Sequence, residues 1–254
     1  MTQRAPAVSR AIAVLKLLAN QREPLGVNAI ARELGVVPSS CLHIMRALAE
    51  EGLVQIDPAT KQYALGLGLL TLARDMLGRN HFARLAQPEL QSIALKYGAT
   101  ATAVELDGRE RMVVVAVAQA PTFLKIQVGV GSRFPAYISA TGRCLAARSG
   151  LGKAQLKQRF QALKWQSPPA FDDWLRQVDA ARASGIAVDP GNYIRGFTIV
   201  AALIEGPDEA LEAAQRAVAI VAVSEQLNDK SLAALKRDTK AAALQLSTRL
   251  RGLK

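Results

Sequence analysis

The chain has 254 residues, half of them apolar, and a net charge of +11. That length suits one large domain or two modest ones. No apolar run reaches the roughly 20 residues needed to span a bilayer, the N-terminal MTQRAPAVSR lacks the apolar core of a secretory signal, and two distant cysteines, Cys41 and Cys144, argue against a disulfide framework and suit a reducing cytoplasm. The basic balance fits a polyanionic partner but does not locate one. Residues 1–80 carry nine Lys/Arg against six Asp/Glu, and the remainder carries 23 against 15.

Ile12, Leu15, Leu18 and Ala19 lie at helical spacing, which predicts a first helix with Ser9 as its N-cap. Glu23, Pro24, Leu25 and Gly26 break it. Val27, Ile30, Ala31 and Leu34 repeat the pattern, and Gly35 stands where a C′ glycine ends a helix. Pro38 suits the first turn of a third helix, striped by Cys41, Ile44, Met45 and Leu48 and closed by Gly52. Val54 and Ile56, a turn at 57–60, then Tyr63 and Leu65 read as a small hairpin. A linker helix is expected from Leu67 to about His81, with Leu70, Ala73 and Leu77 on one side.

The remainder reads as α/β. Residues 99–106 and 111–118 are strand-like and joined through Asp107 and Gly108, a hairpin signal. Residues 123–128 suggest a third strand, 141–148 and 172–184 suggest helices, and Gly185 ends the latter. Asp189, Pro190, Gly191 and Asn192 form a turn. Runs at 197–204 and 217–223 are β-like, and Leu232, Leu235, Thr239, Ala242 and Leu246 mark a final helix.

Two helices joined by a tight turn, the second followed by a hairpin, make a winged helix-turn-helix. Its second helix lies in the major groove, so one face must be apolar and the other polar. Helix 39–50 meets that demand: opposite its apolar stripe it presents Ser39, His43 and Arg46, flanked by Ser40 and Leu42. Serines and an Arg can bond phosphates or base edges. At the hairpin tip, Lys61 and Gln62 can reach backbone or minor groove. Spacing alone leaves a second reading open: a ligand-binding or dimerising module acting through protein contacts.

Enzyme chemistry finds little support. Both histidines, His43 and His81, fall in the head or linker, so the later domain lacks a His-based triad. No metal-ligand cluster appears, and GLGK at 150–153 lacks the spacing of a phosphate loop. No cofactor, metal or catalytic residue is expected.

The order of segments resembles the IclR family of bacterial regulators over nearly the whole chain. It runs through IARELG, a Ser-rich helix, EEGLV, the hairpin and YALGLGLLTLA, then VGVGSRFPAYISATGRCLAA, SGIAVDPGNYIRGFTIVAALI and LSTRLRG. The resemblance implies an α+β chain with three parts. These are a winged helix-turn-helix at 1–66, a linker helix at 67–81, and a GAF/PAS-like α/β effector-binding and oligomerisation domain at 82–254. It adds Arg10, early in the first helix, to the DNA-facing set. It implies a double-stranded DNA operator, a homodimer or dimer of dimers, and a small organic-acid effector.

Effector candidates carried over by the resemblance are Gly129, Ala140, Thr141, Asp189, Ile199, Ala222 and Ser224. A carboxylate suits backbone N–H groups at a helix N-terminus, which Ala140, Thr141 and Gly142 would offer, and Ser224 adds a hydroxyl. Ile199 and Ala222 are apolar, which points to an aromatic or larger acid. Other roles are open to the same residues: Thr141 suits a cap, Asp189 an Asx turn, and Cys144 packing. The chain departs from the family pattern at Asn192, often acidic there, at Ala202 and Leu203, where a proline is missing, and in a longer 205–216 segment.

Overall fold

The computed structural model describes residues 5–122, 126–205 and 215–252, and the chain divides into two units, Met1–Arg79 and Asn80–Lys254. In the first unit, α1 (Pro6–Asn20) begins earlier than a Ser9 cap would allow. Pro6 takes the first turn, where its missing N–H is not needed, and the Ser9 N–H already donates to Ala5 O at 3.1 Å. β1 (Leu25–Gly26) follows, so the predicted breaker is itself a short strand. α2 (Val27–Leu34) ends at Gly35, whose φ of 62° is the left-handed conformation that glycine adopts without strain. α3 (Pro38–Glu50) leads into β2 (Val54–Ile56) and β3 (Gln62–Leu65).

β3 lies between β1 and β2, antiparallel to both. The expected winged helix-turn-helix is therefore present, with a third wing strand that the sequence reading lacked. Its core joins Val14, Leu18, Ile30, Cys41, Met45, Leu48, Val54 and Tyr63. Ile56, expected to face inward beside Val54, is 42% exposed. α4 (Gly68–Arg79) is the linker helix, and it buries none of its residues. It ends before His81 because Asn80 caps a new helix, its Oδ1 accepting from the Ala83 N–H at 2.9 Å.

That new helix, α5 (His81–Tyr97), opens the second unit and was not anticipated. β4 (Thr100–Asp107) and β5 (Arg111–Gln119) form the expected hairpin. Asp107 fixes its turn by accepting from the Arg109 and Arg111 N–H groups at 2.8 and 3.0 Å. The proposed strand at 123–128 falls partly outside the described residues, and 126–128 are not in a strand. The edge strand comes later, as β6 (Arg133–Pro135), where a proline is tolerated. α6 (Ser139–Arg148), α7 (Lys153–Gln161), α8 (Phe171–Ser184) and β7 (Ala187–Asp189) follow. β8 (Phe197–Ile204), β9 (Arg216–Val223) and α9 (Asp229–Arg251) complete the described chain.

The sheet runs β6-β5-β4-β9-β8-β7, antiparallel throughout. Strand residues alternate between its faces. Val200, Ala202, Val218, Ile220 and Ala222 pack on one face with α5 and α9. Ile199, Ala201 and Ala219 pack on the other with α6 and α8. α6 comes close to the preceding turn because residue 142 is glycine: a Cβ there would lie 2.0 Å from the Tyr137 carbonyl carbon. Gly142→Ala is therefore expected to destabilise the protein by about 3 kcal/mol, toward the upper end of overpacking costs. Urea unfolding followed by circular dichroism checks this, and an unchanged midpoint would contradict the contact.

Candidate functional site

The first unit carries a groove between α3 and the wing, lined by Asn28, Leu42, Arg46, Glu50, Ile56, Thr60, Lys61 and Tyr63 among others. Cys41, Met45 and Leu48 anchor the buried side of α3, so helical periodicity turns Arg46 outward. Arg46 is exposed, and no ion pair to it occurs among the described residues. Lys61 adopts a φ of 56° at the wing tip. The tip is fixed by Asp57, whose Oδ1 accepts from the Ala59 and Thr60 N–H groups at 2.8 and 3.4 Å. The Ala59 N–H, with help from the Thr60 hydroxyl, holds this carboxyl below its usual range.

The structure thus brings three DNA-facing candidates together in the groove: Leu42, Arg46 and Lys61. Ser39 and His43 are exposed on α3, Ser40 is half-buried, and Gln62 is exposed where β3 begins. None of these four lines the groove. Arg10 is exposed on α1. Asn28 was missed. Its signal was a polar side chain in the first turn of α2, just after Gly26, where a helix offers unpaired N–H groups.

The second unit holds a cavity of about 250 Å³ on the sheet face shared with α6. Val114, Ile199, Ala219 and Val221 form its sheet wall; Val128, Phe134 and Ile194 add apolar surface. Its polar lining is Thr102, Gln127, Ser132, Arg133, Ser139, Thr141 and Tyr193. Two of these hydroxyls are already engaged. Thr102 Oγ1 donates to Ala219 O at 3.0 Å, and Ser132 Oγ accepts from the Gly129 N–H at 3.1 Å. Those of Ser139, Thr141 and Tyr193 have no hydrogen-bond partner among the described residues. Burial raises the Tyr193 pKa, which keeps that hydroxyl a donor. Among the described residues Arg133 is the one cation in the lining, and it is exposed. Ser139 is buried with a φ of 63°, a strained conformation for a side-chain-bearing residue at the cavity edge.

Of the effector candidates, Thr141 and Ile199 line this cavity. Gly129 is exposed in the turn beside it. Ala140 is fully buried within the first turn of α6, and Ala222 is buried on the opposite sheet face. Ser224 Oγ lies 3.0 Å from Thr198 Oγ1, away from the lining. The Gly142 N–H is spent on Ile138 O at 2.8 Å, so any anion at the α6 N-terminus meets only the groups before it. Asp189 is fully buried and pairs with Arg143, Nη1 to Oδ2 at 3.1 Å. Its Oδ1 accepts from the Asn192 and Tyr193 N–H groups, as an Asx-type turn does. Cys144 donates to Ala201 O, and burial pushes its thiol up to about 12, which keeps it protonated.

A winged helix-turn-helix followed by an α/β unit that carries a cavity is the build of a transcription regulator. Residues 7–58 match the family profile described as the IclR helix-turn-helix domain. Residues 74–248 match that of the bacterial transcriptional regulator IclR C-terminal domain. The chain belongs to the IclR family. It is 27% identical over 205 residues to the glycerol operon regulatory protein of Streptomyces coelicolor, covering 80% of each. An IclR transcriptional regulator from Alicyclobacillus acidocaldarius superposes with a TM-score of 0.82 at 26% identity, covering 98% of this chain and all of that one. An IclR homologue from Microbacterium hydrocarbonoxydans, crystallised with 4-hydroxybenzoate, shares the fold. Its TM-score is 0.79 at 17% identity, covering 97% of this chain and 99% of that one. Among the described residues no helix is long and apolar enough to cross a membrane, and no side-chain cluster could hold a metal ion.

Proposed function

We propose that this regulator binds an operator through α3 and the wing, and that a small aromatic or similarly apolar acid in the second unit's cavity modulates that binding. The observation that carries the effector half is the cavity's chemistry: apolar walls, three unengaged hydroxyls and one arginine at the rim. Its volume, about 250 Å³, lies just below the usual ligand-pocket range of about 300–1,000 Å³. That suits a single ring or short branched chain. The rim arginine suits a carboxylate. The 4-hydroxybenzoate bound by the Microbacterium homologue is an acid of this kind. Of the carried-over positions, we assign effector contact to Thr141 and Ile199, and add Ser139, Tyr193 and Arg133.

In the head, Arg46 and Leu42 read base edges from α3, while Lys61 and Asn28 meet phosphates. Ser39, Ser40, His43, Gln62 and Arg10 extend the contact along the duplex. Residues 1–66 act as the head, 67–81 as the link and 82–254 as the sensor. The working unit is a homodimer. Supporting this, α4 exposes Leu72 and Met76, one turn apart on one face, at 62% and 61%, and Leu70 at 65%, apolar surface that a lone helix in water would not favour. Two-fold symmetry then places two α3 helices on a near-palindromic site. Ligand shifts the population between DNA-competent and DNA-incompetent dimers.

Two measurements test this reading. On DNA from upstream of its own operon, the protein is expected to show specific retention at moderate salt. Arg46→Ala removes it by costing about 1–3 kcal/mol, and Lys61→Ala lowers the salt slope by about one unit. Absence of salt-sensitive retention would favour a module acting through protein contacts. In calorimetric titrations, aromatic acids such as 4-hydroxybenzoate are expected to bind more tightly than short polar acids such as lactate. Arg133→Gln should weaken binding roughly three- to tenfold, less than a buried charge-assisted bond because the arginine is exposed. Tightest binding by the short polar acid would sink the assignment.

A further inference from the structure

Arg143 is fully buried in the middle of α6 and spreads its guanidinium over three acceptors, one on α8 and two on the turn that follows β7. Nε donates to Gln177 Oε1 of α8 at 2.6 Å, Nη1 to Asp189 Oδ2 at the end of β7, and Nη2 to Asn192 Oδ1 at 2.8 Å. Its carbon Cζ also lies 5.7 Å from the centre of the Trp165 ring. Asp189 and Asn192 are the two ends of one turn. Asn192 in turn holds the strip at Ser167, donating to Ser167 O at 3.1 Å and accepting from its N–H at 2.9 Å.

The next two residues of that loop, Tyr193 and Ile194, line the cavity. Across from them, Ser139 and Thr141 line it from the first turn of α6, the helix that carries Arg143. One buried guanidinium therefore spans the helix that makes one wall and the loop that makes another. We infer that Arg143 is the positioning residue of the cavity. It sets the separation between the α6 wall and the 190–196 loop, and so sets ligand affinity and the ligand size admitted. A lysine cannot replace it, because one ammonium on a flexible stem does not present a planar fork to three acceptors.

The effector part of this inference rests on the proposed function above; the loop part does not. Hydrogen exchange by mass spectrometry on the full chain without ligand tests the loop. Arg143→Lys, Arg143→Met and the milder Asn192→Ala should each raise exchange within 190–196 roughly tenfold, the scale of one hydrogen bond to a charged group. α5, α9 and β9 should keep their wild-type protection. Arg143→Lys should not rescue the loop, as it would if charge alone mattered. In parallel titrations with 4-hydroxybenzoate, the variants should bind roughly tenfold more weakly, with ligand-free DNA retention unchanged.

Unchanged exchange in 190–196, or an increase spread evenly through α9 and the sheet, overturns the positioning role. So does full rescue by lysine. Should an Arg143 variant fail to fold, Asn192→Ala removes both the acceptor for Nη2 and the bond to Ser167 O, while Asn192→Asp keeps that acceptor and removes only the Ser167 bond; equal loosening by the two overturns the role, and loosening by Asn192→Ala alone supports it. Failure of the wild-type protein to bind 4-hydroxybenzoate counts against the effector reading, and the exchange data then judge Arg143 by themselves.

Discussion

A charge without access to water must be surrounded by acceptors, and in this protein that requirement falls on Arg143. Isolated, a buried guanidinium would cost several kcal/mol, and removing one partner of such a pair costs about 3–5 kcal/mol. The fold answers by drawing an α8 glutamine, the β7 aspartate and a loop asparagine to one point. Burial pulls the Arg143 pKa down while Asp189 opposes that pull. Helix α6 and the loop after β7 are thereby tied together. The space left between them, over the sheet face carrying Ile199 and Val221, is the cavity.

The two faces of the sheet divide the labour. α5 and α9 cover one face with a continuous apolar core, which supplies rigidity. On the other face, Gly142 lets α6 settle onto the Tyr137 backbone, while the cavity stays open beside its first turn. Alternation along β9 decides what lines the cavity: Ala219 and Val221 face it, while Ile220 between them and Ala222 after them face the other core. The head solves a similar problem on one helix. α3 buries Cys41, Met45 and Leu48, which leaves Arg46 outward beside the wing.

Much of the head was legible because its signals are local. The stripes of α2 and α3, the left-handed Gly35 and the proline opening α3 each act within a few residues. Ser9 misled because a capping residue was preferred over Pro6, three positions earlier, although either can start a helix. β1 escaped notice because two residues carry no periodicity; only pairing with Gln62 and Tyr63 makes them a strand. α5 was lost for a different reason: its stripe of Phe82, Ala86, Leu90 and Ile93 was not separated from the linker before it.

The cavity was only half legible. β9 is apolar on both faces, so sequence could not say whether Val221 or Ala222 turns toward the cavity. Arg143 reads in sequence as an ordinary helical charge with solvent around it. Its partners lie 34, 46 and 49 residues away, beyond any local pattern. Asp189, read by resemblance as an effector contact, has its carboxylate occupied by that same arginine and by the turn it closes.

The central claim is that occupancy of this cavity changes the grip of the head on DNA. The most direct measurement is the affinity of the full-length protein for its upstream DNA, by fluorescence anisotropy, at increasing concentrations of an acid shown calorimetrically to bind. The account predicts that affinity shifts by about 5- to 150-fold, the usual range of allosteric coupling, and that the acid's own affinity shifts by the same factor when DNA is present. An acid that binds the cavity and leaves DNA affinity unchanged at saturation would contradict it.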